Sequence, residues 1–224
     1  MKELANRNYK LILHCCNHCR EIVDEMNSYE TLKRNVLGII RYDFKESKSS
    51  LFIDKVRSYT HKLDAIVALS AIYDETPEDK LTDDLVMEVF QINLLTYIVM
   101  IPKLIEMLEE GGVVILFSDA IALKDRNIYV GLNPSLPYVV SKSGLITLAK
   151  FLSSKVTKKR IVVIAPSWID TGKLNTKLKL RAIESTSAKE IINVRDLINL
   201  IVLLIEDMRG VSGVVIELSS NFLT

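Results

Sequence analysis

The chain has 224 residues, 49% hydrophobic and 25% charged, with a net charge of +1. This is enough apolar material for one globular domain over residues 1–224, and so small a net charge supplies no bulk field to recruit nucleic acid or an anionic membrane. No apolar run reaches the length needed to span a bilayer, and the start, Met1-Lys2-Glu3-Leu4-Ala5-Asn6, lacks the apolar stretch of a signal peptide, so no membrane partner and a cytoplasmic location are expected. Three cysteines, gathered between Cys15 and Cys19, are too few and too close to staple a fold of this size, which fits a reducing compartment.

Apolar runs of about five to seven residues alternate with longer helical patterns, the signature of βαβ units and a parallel sheet covered on both faces. In chain order the pattern predicts strands over Lys10 to Cys15, Val36 to Tyr42, Asp64 to Leu69, Val113 to Phe117, Ile161 to Ala165 and Val214 to Leu218. Between them it predicts helices near Arg20 to Met26, Ser50 to Thr60, Asp83 to Glu110, Pro137 to Lys155 and Val194 to Asp207. The stretch from Asp119 to Leu136 contains Gly131, Asn133 and Pro134 and reads as a loop. The expected class is α/β, with about six strands in a doubly wound parallel sheet and helices on both faces.

Tyr138 and Lys142 lie four residues apart near the start of a helical segment, which puts both side chains on one face. A free tyrosine, with a pKa of about 10, is a poor acid or base at neutral pH; an ammonium within about 4–6 Å favours the phenolate and lowers that value. Lys142 supplies that charge. The spacing alone also fits an ordinary amphipathic contact, so the surrounding motifs decide.

Around Tyr138-Val139-Val140-Ser141-Lys142-Ser143-Gly144-Leu145 the chain resembles the short-chain dehydrogenase/reductase family from about Tyr9 to Leu218. Gly111-Gly112-Val113-Val114-Ile115-Leu116-Phe117-Ser118 is similar to the strand ending on the catalytic serine. Gln91-Ile92-Asn93-Leu94 is similar to the helix carrying the catalytic asparagine. Arg160-Ile161-Val162-Val163-Ile164-Ala165-Pro166-Ser167-Trp168-Ile169-Asp170-Thr171 is similar to the strand and loop that cover the nicotinamide. Within the family the 3-oxoacyl-acyl-carrier-protein reductases look closest. The resemblance implies a Rossmann-like fold and an NADP- or NAD-dependent exchange of hydride with a small carbonyl or alcohol substrate. It also implies a homodimer or homotetramer, formed through the helices over Asp83 to Glu110 and Pro137 to Lys155. Tyr138 then acts as proton donor, Lys142 lowers its pKa and binds ribose hydroxyls, Ser118 holds the substrate oxygen, and Asn93 anchors a water in the relay. Asp43 matches the residue at the adenine, and Ile169 and Thr171 match positions at the carboxamide and phosphates. Read without the family, Ser118 is a cap, Asn93 a satisfied helix polar, Asp43 a strand-end cap, Ile169 a core aliphatic and Thr171 a helix N-cap.

Departures from the family pattern fall on cofactor elements. The glycine-rich turn after the family's first strand has no counterpart, because no glycine precedes Gly38. The first strand here matches the family's second, with Glu3 to Asn8 as the tail of the helix between them. The expectation is a domain truncated at its N-terminus relative to the family, through a late start or as the genuine chain. Neighbouring strands closing over the gap would give the order 2-1-3-4-5-6. Ala68-Leu69-Ser70-Ala71 replaces the family's Asn-Asn-Ala-Gly, and Ser167 replaces a glycine. Weak cofactor binding is expected, and the alternative is a catalytically impaired member kept as an oligomerisation or binding module. His14-Cys15, where NAD-preferring members carry an acid, leans slightly to NADP.

Cys16-x-x-Cys19 follows a strand and opens a helix, the layout of a redox pair, and with a histidine it could bind zinc; buried small residues are the simpler reading, and no metal site is assigned. From Ser118 to Tyr138 the spacing exceeds the family's, with Lys124 to Pro134 lengthening a rim loop. In the lid region, Thr171 to Lys189, the residues Lys173, Lys177, Lys179 and Arg181 could meet an acidic partner such as an acyl-carrier protein, or form a solvated face.

Overall fold

The computed structural model describes residues 1–46, 49–123, 133–172, 174–186 and 188–220. Its strands are β1 (Leu11–Cys15), β2 (Val36–Arg41), β3 (Leu63–Ala68), β4 (Leu108–Phe117), β5 (Arg160–Pro166), β6 (Ile169–Asp170), β7 (Ile192–Asn193) and β8 (Val215–Leu218). Its helices are α1 (Lys2–Asn6), α2 (Cys19–Ser28), α3 (Glu30–Asn35), α4 (Ser49–Arg57), α5 (Asp83–Phe90), α6 (Thr96–Glu106), α7 (Leu136–Ser153), α8 (Thr176–Glu184) and α9 (Val194–Glu206). A π-helical turn, Gln91–Leu95, joins α5 to α6.

Local chemistry sets the ends of the helices that matter for the site. Thr82 accepts from the Leu85 N–H ahead of α5, and Ser135 accepts from the Tyr138 N–H with Pro137 in the first turn of α7. β4 and β5 are apolar on every residue of Val113–Leu116 and Ile161–Ala165, all at 0% exposure, because helices cover both faces. On one face Val114, Leu116, Ile161 and Val163 pack against Tyr97, Ile101 and Ile105 of α6 and Leu145, Ala149 and Leu152 of α7. On the other, Val113, Ile115, Val162 and Ile164 pack against Leu204 and Ile205 of α9. The parallel α/β class read from the sequence is the observed one.

The closed strand order is not. β1 pairs only with β2, and β3-β4-β5-β8 forms a separate parallel sheet. No ladder joins β1 to β3; between them lies a slot of about 780 Å³. The helix layer explains why the edges do not meet. Met100, Leu104 and Met107 pack with Ile40, Phe52 and Ile53 under the β1–β2 pair, while Tyr97 and Ile101 pack under β4. α6 thus lies across the slot, and Leu63 and Ile66 of β3 pack against both clusters.

Smaller corrections follow from tertiary context. The helix expected to reach Glu110 stops at Glu106, and Leu108–Glu110 joins β4, which turns at Gly111 with φ +82°. α3 and α8 were not predicted. Against the expectation of no span-length apolar run, the continuous helix Asp83–Glu106 is long and apolar enough to cross a membrane. Here Val89, Tyr97, Met100, Ile101 and Leu104 are buried in the protein core. Residues 124–132 of the rim loop, and Lys173 of the lid, lie outside the described residues.

Candidate active site

β4 ends at Phe117, and the next two residues meet the N-terminal half of α7. The Ser118 hydroxyl donates to the Lys142 carbonyl at 2.8 Å, and Lys142 Nζ donates to the Phe117 carbonyl at 3.0 Å. One helical turn earlier, the Tyr138 hydroxyl donates to Asp119 Oδ2 at 2.6 Å. Asn93 sits in the π-helical turn, fully buried; Oδ1 accepts from the Ile72 N–H at 2.8 Å, and Nδ2 donates to the Ile72 carbonyl at 2.9 Å and to Ser141 Oγ at 3.3 Å. Such π-bulges carry one extra residue per turn and recur at functional sites. Gly144 makes the approach possible, since a Cβ there would stand 2.6 Å from Leu94 Cδ2. The structure therefore brings Asn93, Ser118, Tyr138 and Lys142 to one place at the C-terminal end of β4.

The electrostatics differ from expectation. Lys142 Nζ lies 5.7 Å from the centroid of the Tyr138 ring, and its polar partner is the Phe117 carbonyl rather than the phenol. Burial lowers the Lys142 pKa to about 8, against the opposing charge of Asp119. Tyr138 is shifted upward, first by burial and then by the Asp119 charge and hydrogen bond. The lowered tyrosine expected from the Tyr-Lys spacing is thus corrected: the nearest charge to the phenol is negative. Asp119 itself is raised by burial, with the Tyr138 bond opposing that shift.

Asp119 was missed by the motif reading, although an acid directly after a buried strand and beside Ser118 is a visible signal. Tyr73 was missed as well; its ring stands edge-on to Tyr138 at 4.9 Å, and its hydroxyl donates to Glu75 at 2.9 Å. Arg181 on α8 pairs with Glu75 at 3.1 Å, and Lys179 pairs with Asp170 at 2.7 Å, so two of the lid's cations are held within the chain. Lys177 is exposed. Trp168 packs beside Tyr138 and Ile121. Its indole N–H and the Ser167 hydroxyl are buried and have no hydrogen-bond partner among the described residues.

The remaining site candidates stand apart from this network. Asp43 follows β2, accepts from the Lys45 N–H at 2.9 Å, and lines a cavity of about 760 Å³ with Cys16, Asn17, Arg41 and Lys55. Ile169 pairs with Ile192 in the short β6–β7 ladder, and exposed Thr171 donates its N–H to the Ile169 carbonyl. Thr171 caps no helix; Asn175 caps α8. The Cys16-x-x-Cys19 pairing is overturned, because Cys19 is disulfide-bonded to Cys15 while Cys16 is free, which also removes Cys19 as a zinc ligand.

Residues 2–219 match the family model described as enoyl-(acyl carrier protein) reductase. The chain belongs to the short-chain dehydrogenase/reductase family. The fold agrees. A Burkholderia cenocepacia short-chain dehydrogenase solved with NADP superposes with a TM-score of 0.84 at 16% identity, over 98% of this chain and 90% of that one. A double mutant of a Serratia marcescens short-chain dehydrogenase/reductase gives 0.86 at 14%, over 99% and 90%. A 4-hydroxyisoleucine dehydrogenase complexed with NADH and succinate gives 0.80 at 19%, over 98% and 91%. No curated protein matches the chain in sequence.

Proposed function

We propose that this family member is an NADP- or NAD-dependent oxidoreductase that interconverts a carbonyl and an alcohol, with Tyr138 as the proton donor to the carbonyl oxygen. The observation that carries the reading is the Tyr138 hydroxyl, with Lys142 behind its ring and the Ser118 hydroxyl at the same strand end. A phenol held protonated by burial and by Asp119 suits the reducing direction, in which the group must give up a proton. A substrate oxygen would take the place of Asp119 Oδ2 on the phenol, and Ser118 would turn its hydroxyl from the Lys142 carbonyl to hold the same oxygen. Asn93, already fixed by Ile72 and Ser141, would position the water through which Lys142 exchanges protons.

The dinucleotide supplies the hydride. The residues present suit its two ends. The orphaned Trp168 N–H and Ser167 hydroxyl beside the Tyr138 cluster suit a carboxamide, with Ile169 and Thr171 adjacent. Asp43 suits an adenine, and Arg41 and Lys55 in the same cavity support the lean to NADP. The middle suits it poorly, because the turn from Cys15 to Cys19 has no glycine and carries a disulfide. Binding is therefore weak. The finer reading is a 3-oxoacyl thioester substrate in one domain working in the cytoplasm as a homodimer or homotetramer. Exposed Met87, Ile98 and Val99 on the α5–α6 helix and Val140 and Phe151 on α7 support that assembly. The test is oxidation of NADPH and NADH by the purified chain over a panel of ketones and 3-oxoacyl thioesters. Turnover abolished in Tyr138→Phe supports the reading, and turnover unchanged in that variant ends it.

A further inference from the structure

All three cysteines of the chain lie at the C-terminal end of β1: Cys15 ends the strand, Cys19 begins α2 and Cys16 stands between them. The Cys15–Cys19 disulfide joins residues only four apart in sequence. A disulfide's restraint on the unfolded chain grows with the loop it closes, so this one does little to hold the whole domain together. Its effect is local. None of the residues of α2 is fully buried, and His18 at the N-cap makes no side-chain hydrogen bond to the first N–H groups of the helix. A short helix without a buried face or a cap is weakly held, and the disulfide ties its first turn covalently to the end of β1.

The two sulfurs are unequal. Cys15 is 5% exposed, whereas Cys19 is half-buried between exposed His18 and Arg20, so an external thiolate reaches Cys19. As the first residue of α2, Cys19 is also the better leaving group, because a helix N-terminus stabilises a thiolate. Cys16 stands aside from the exchange: it is free, and burial and the Asp43 carboxylate raise its pKa and keep it a thiol. Its place is structural. Cys16 and Asn17 lie within the loop that the disulfide closes, and both line the cavity of about 760 Å³ shared with Arg41, Asp43 and Lys55.

We propose that Cys15 and Cys19 form a reversible dithiol–disulfide couple, reduced by an external dithiol through Cys19, which fastens the first turn of α2 and the cavity wall at Cys16 and Asn17 when oxidised and releases them when reduced. One thiolate of the dithiol attacks Cys19 Sγ; a mixed disulfide forms, the Cys15–Cys19 bond breaks, and Cys15 leaves as a thiolate. The dithiol's second thiolate then closes on its first sulfur, the mixed disulfide breaks, and Cys19 leaves as a thiolate. The chain gains two electrons and, once both thiolates are protonated, two protons, while the dithiol becomes a cyclic disulfide. The inference does not rest on the enzymatic reading, since its readouts are thiol content and amide exchange.

The experiment uses the full chain, without denaturant, in mixtures of reduced and oxidised dithiothreitol. Samples are acid-quenched, unfolded and alkylated for peptide mass spectrometry, with amide hydrogen exchange measured in parallel. Alkylation should pass from Cys16 alone to all three cysteines as the reduced fraction rises, and back again when the mixture is reversed. Exchange over Cys16–Met26 should quicken about tenfold or more on reduction, with Val113–Phe117 unchanged. A Cys15→Ser chain should exchange at the fast rate in every mixture, and Cys16→Ser should follow the wild type; the wild-type readouts stand whether or not these variants fold. A bond reduced only in denaturant, three free thiols at every ratio, Cys16 found in the bond, or equal exchange in the oxidised and reduced chains would each overturn the proposal.

Discussion

β4 and β5 on one side, and β1 and β3 on the other, are parallel strands of similar composition in the same molecule, yet Val113–Leu116 and Ile161–Ala165 are wholly buried while β3 is mostly half-buried and β1 reaches burial only at Cys15. The difference is pairing. β4 and β5 each have a ladder on both edges and a helix on both faces, whereas β1 and β3 each have one edge on the slot. The proposed catalytic side chains, Asn93, Ser118, Tyr138 and Lys142, hang from the closed half. The turn from Cys15 to Cys19 and the Ala68-Leu69-Ser70-Ala71 segment, where a dinucleotide's middle would lie, belong to the open half. Proton chemistry and cofactor affinity should therefore fail independently.

The largest effect expected from this division is on cofactor affinity. Two altered contact sets, at the β1 turn and at Ala68-Leu69, each cost on the order of 1.5–3 kcal/mol at a charged or polar group, so NADPH and NADH should bind at least about 10²-fold more weakly than to family members with the glycine turn. Calorimetric titration checks this, and micromolar or tighter binding would show that the open half is complete as it stands. Next in size, Tyr138→Phe should lower kcat by about 10²- to 10⁴-fold with cofactor affinity unchanged. A parallel loss of affinity would mean that the two halves are coupled.

The pH dependence probes the closed half alone. With Lys142 lowered to about 8 in the fold from an ordinary 10.5, the unfolded chain holds a proton that the folded chain resists between those values. Its contribution to stability rises with pH across that window and is least favourable below 8. Lys142→Met should remove this rise, at most about 3 kcal/mol at 1.36 kcal/mol per unit, measured as the difference between the two proteins' denaturant midpoints from pH 7 to 10.5. Asp119→Asn removes the anion beside the phenol and should let the Tyr138 pKa fall, moving the pH–rate profile for kcat to lower pH. An unmoved profile would show that burial alone holds the tyrosine up. Smallest in stability, Phe151→Lys on the outer face of α7 should cost less than about 0.5 kcal/mol while shifting the oligomer toward monomer in light scattering. A wild-type chain already monomeric there would remove the assembly reading.

Much of this was legible in the residues themselves. Short apolar runs between helical patterns located the six main strands to within a residue or two at most ends, and the Tyr138, Lys142, Ser118 and Asn93 motifs, in that relation along the chain, indicated the family. The overlong helix to Glu110 shows where local reading stops: Leu108 to Glu110 suits either state, and pairing with β3 decides for strand. The cysteine motif shows the same, since a two-residue spacing suggested Cys16 with Cys19 and the bend after β1 instead apposes Cys15.

What the sequence determined by itself was periodicity and the order of motifs, because both are written in spacing along one dimension: which segments are strands, which helices follow them, and which side chains share the end of β4. Only the tertiary structure decided how the Tyr138 phenol is charged and whether the two sheets meet. The first depends on Asp119 lying 2.6 Å from the hydroxyl while Lys142 turns to the Phe117 carbonyl, and neither distance follows from residue spacing. The second depends on α6 seating Met100 and Leu104 under one sheet and Tyr97 and Ile101 under the other. Packing, not strand propensity, holds those edges apart.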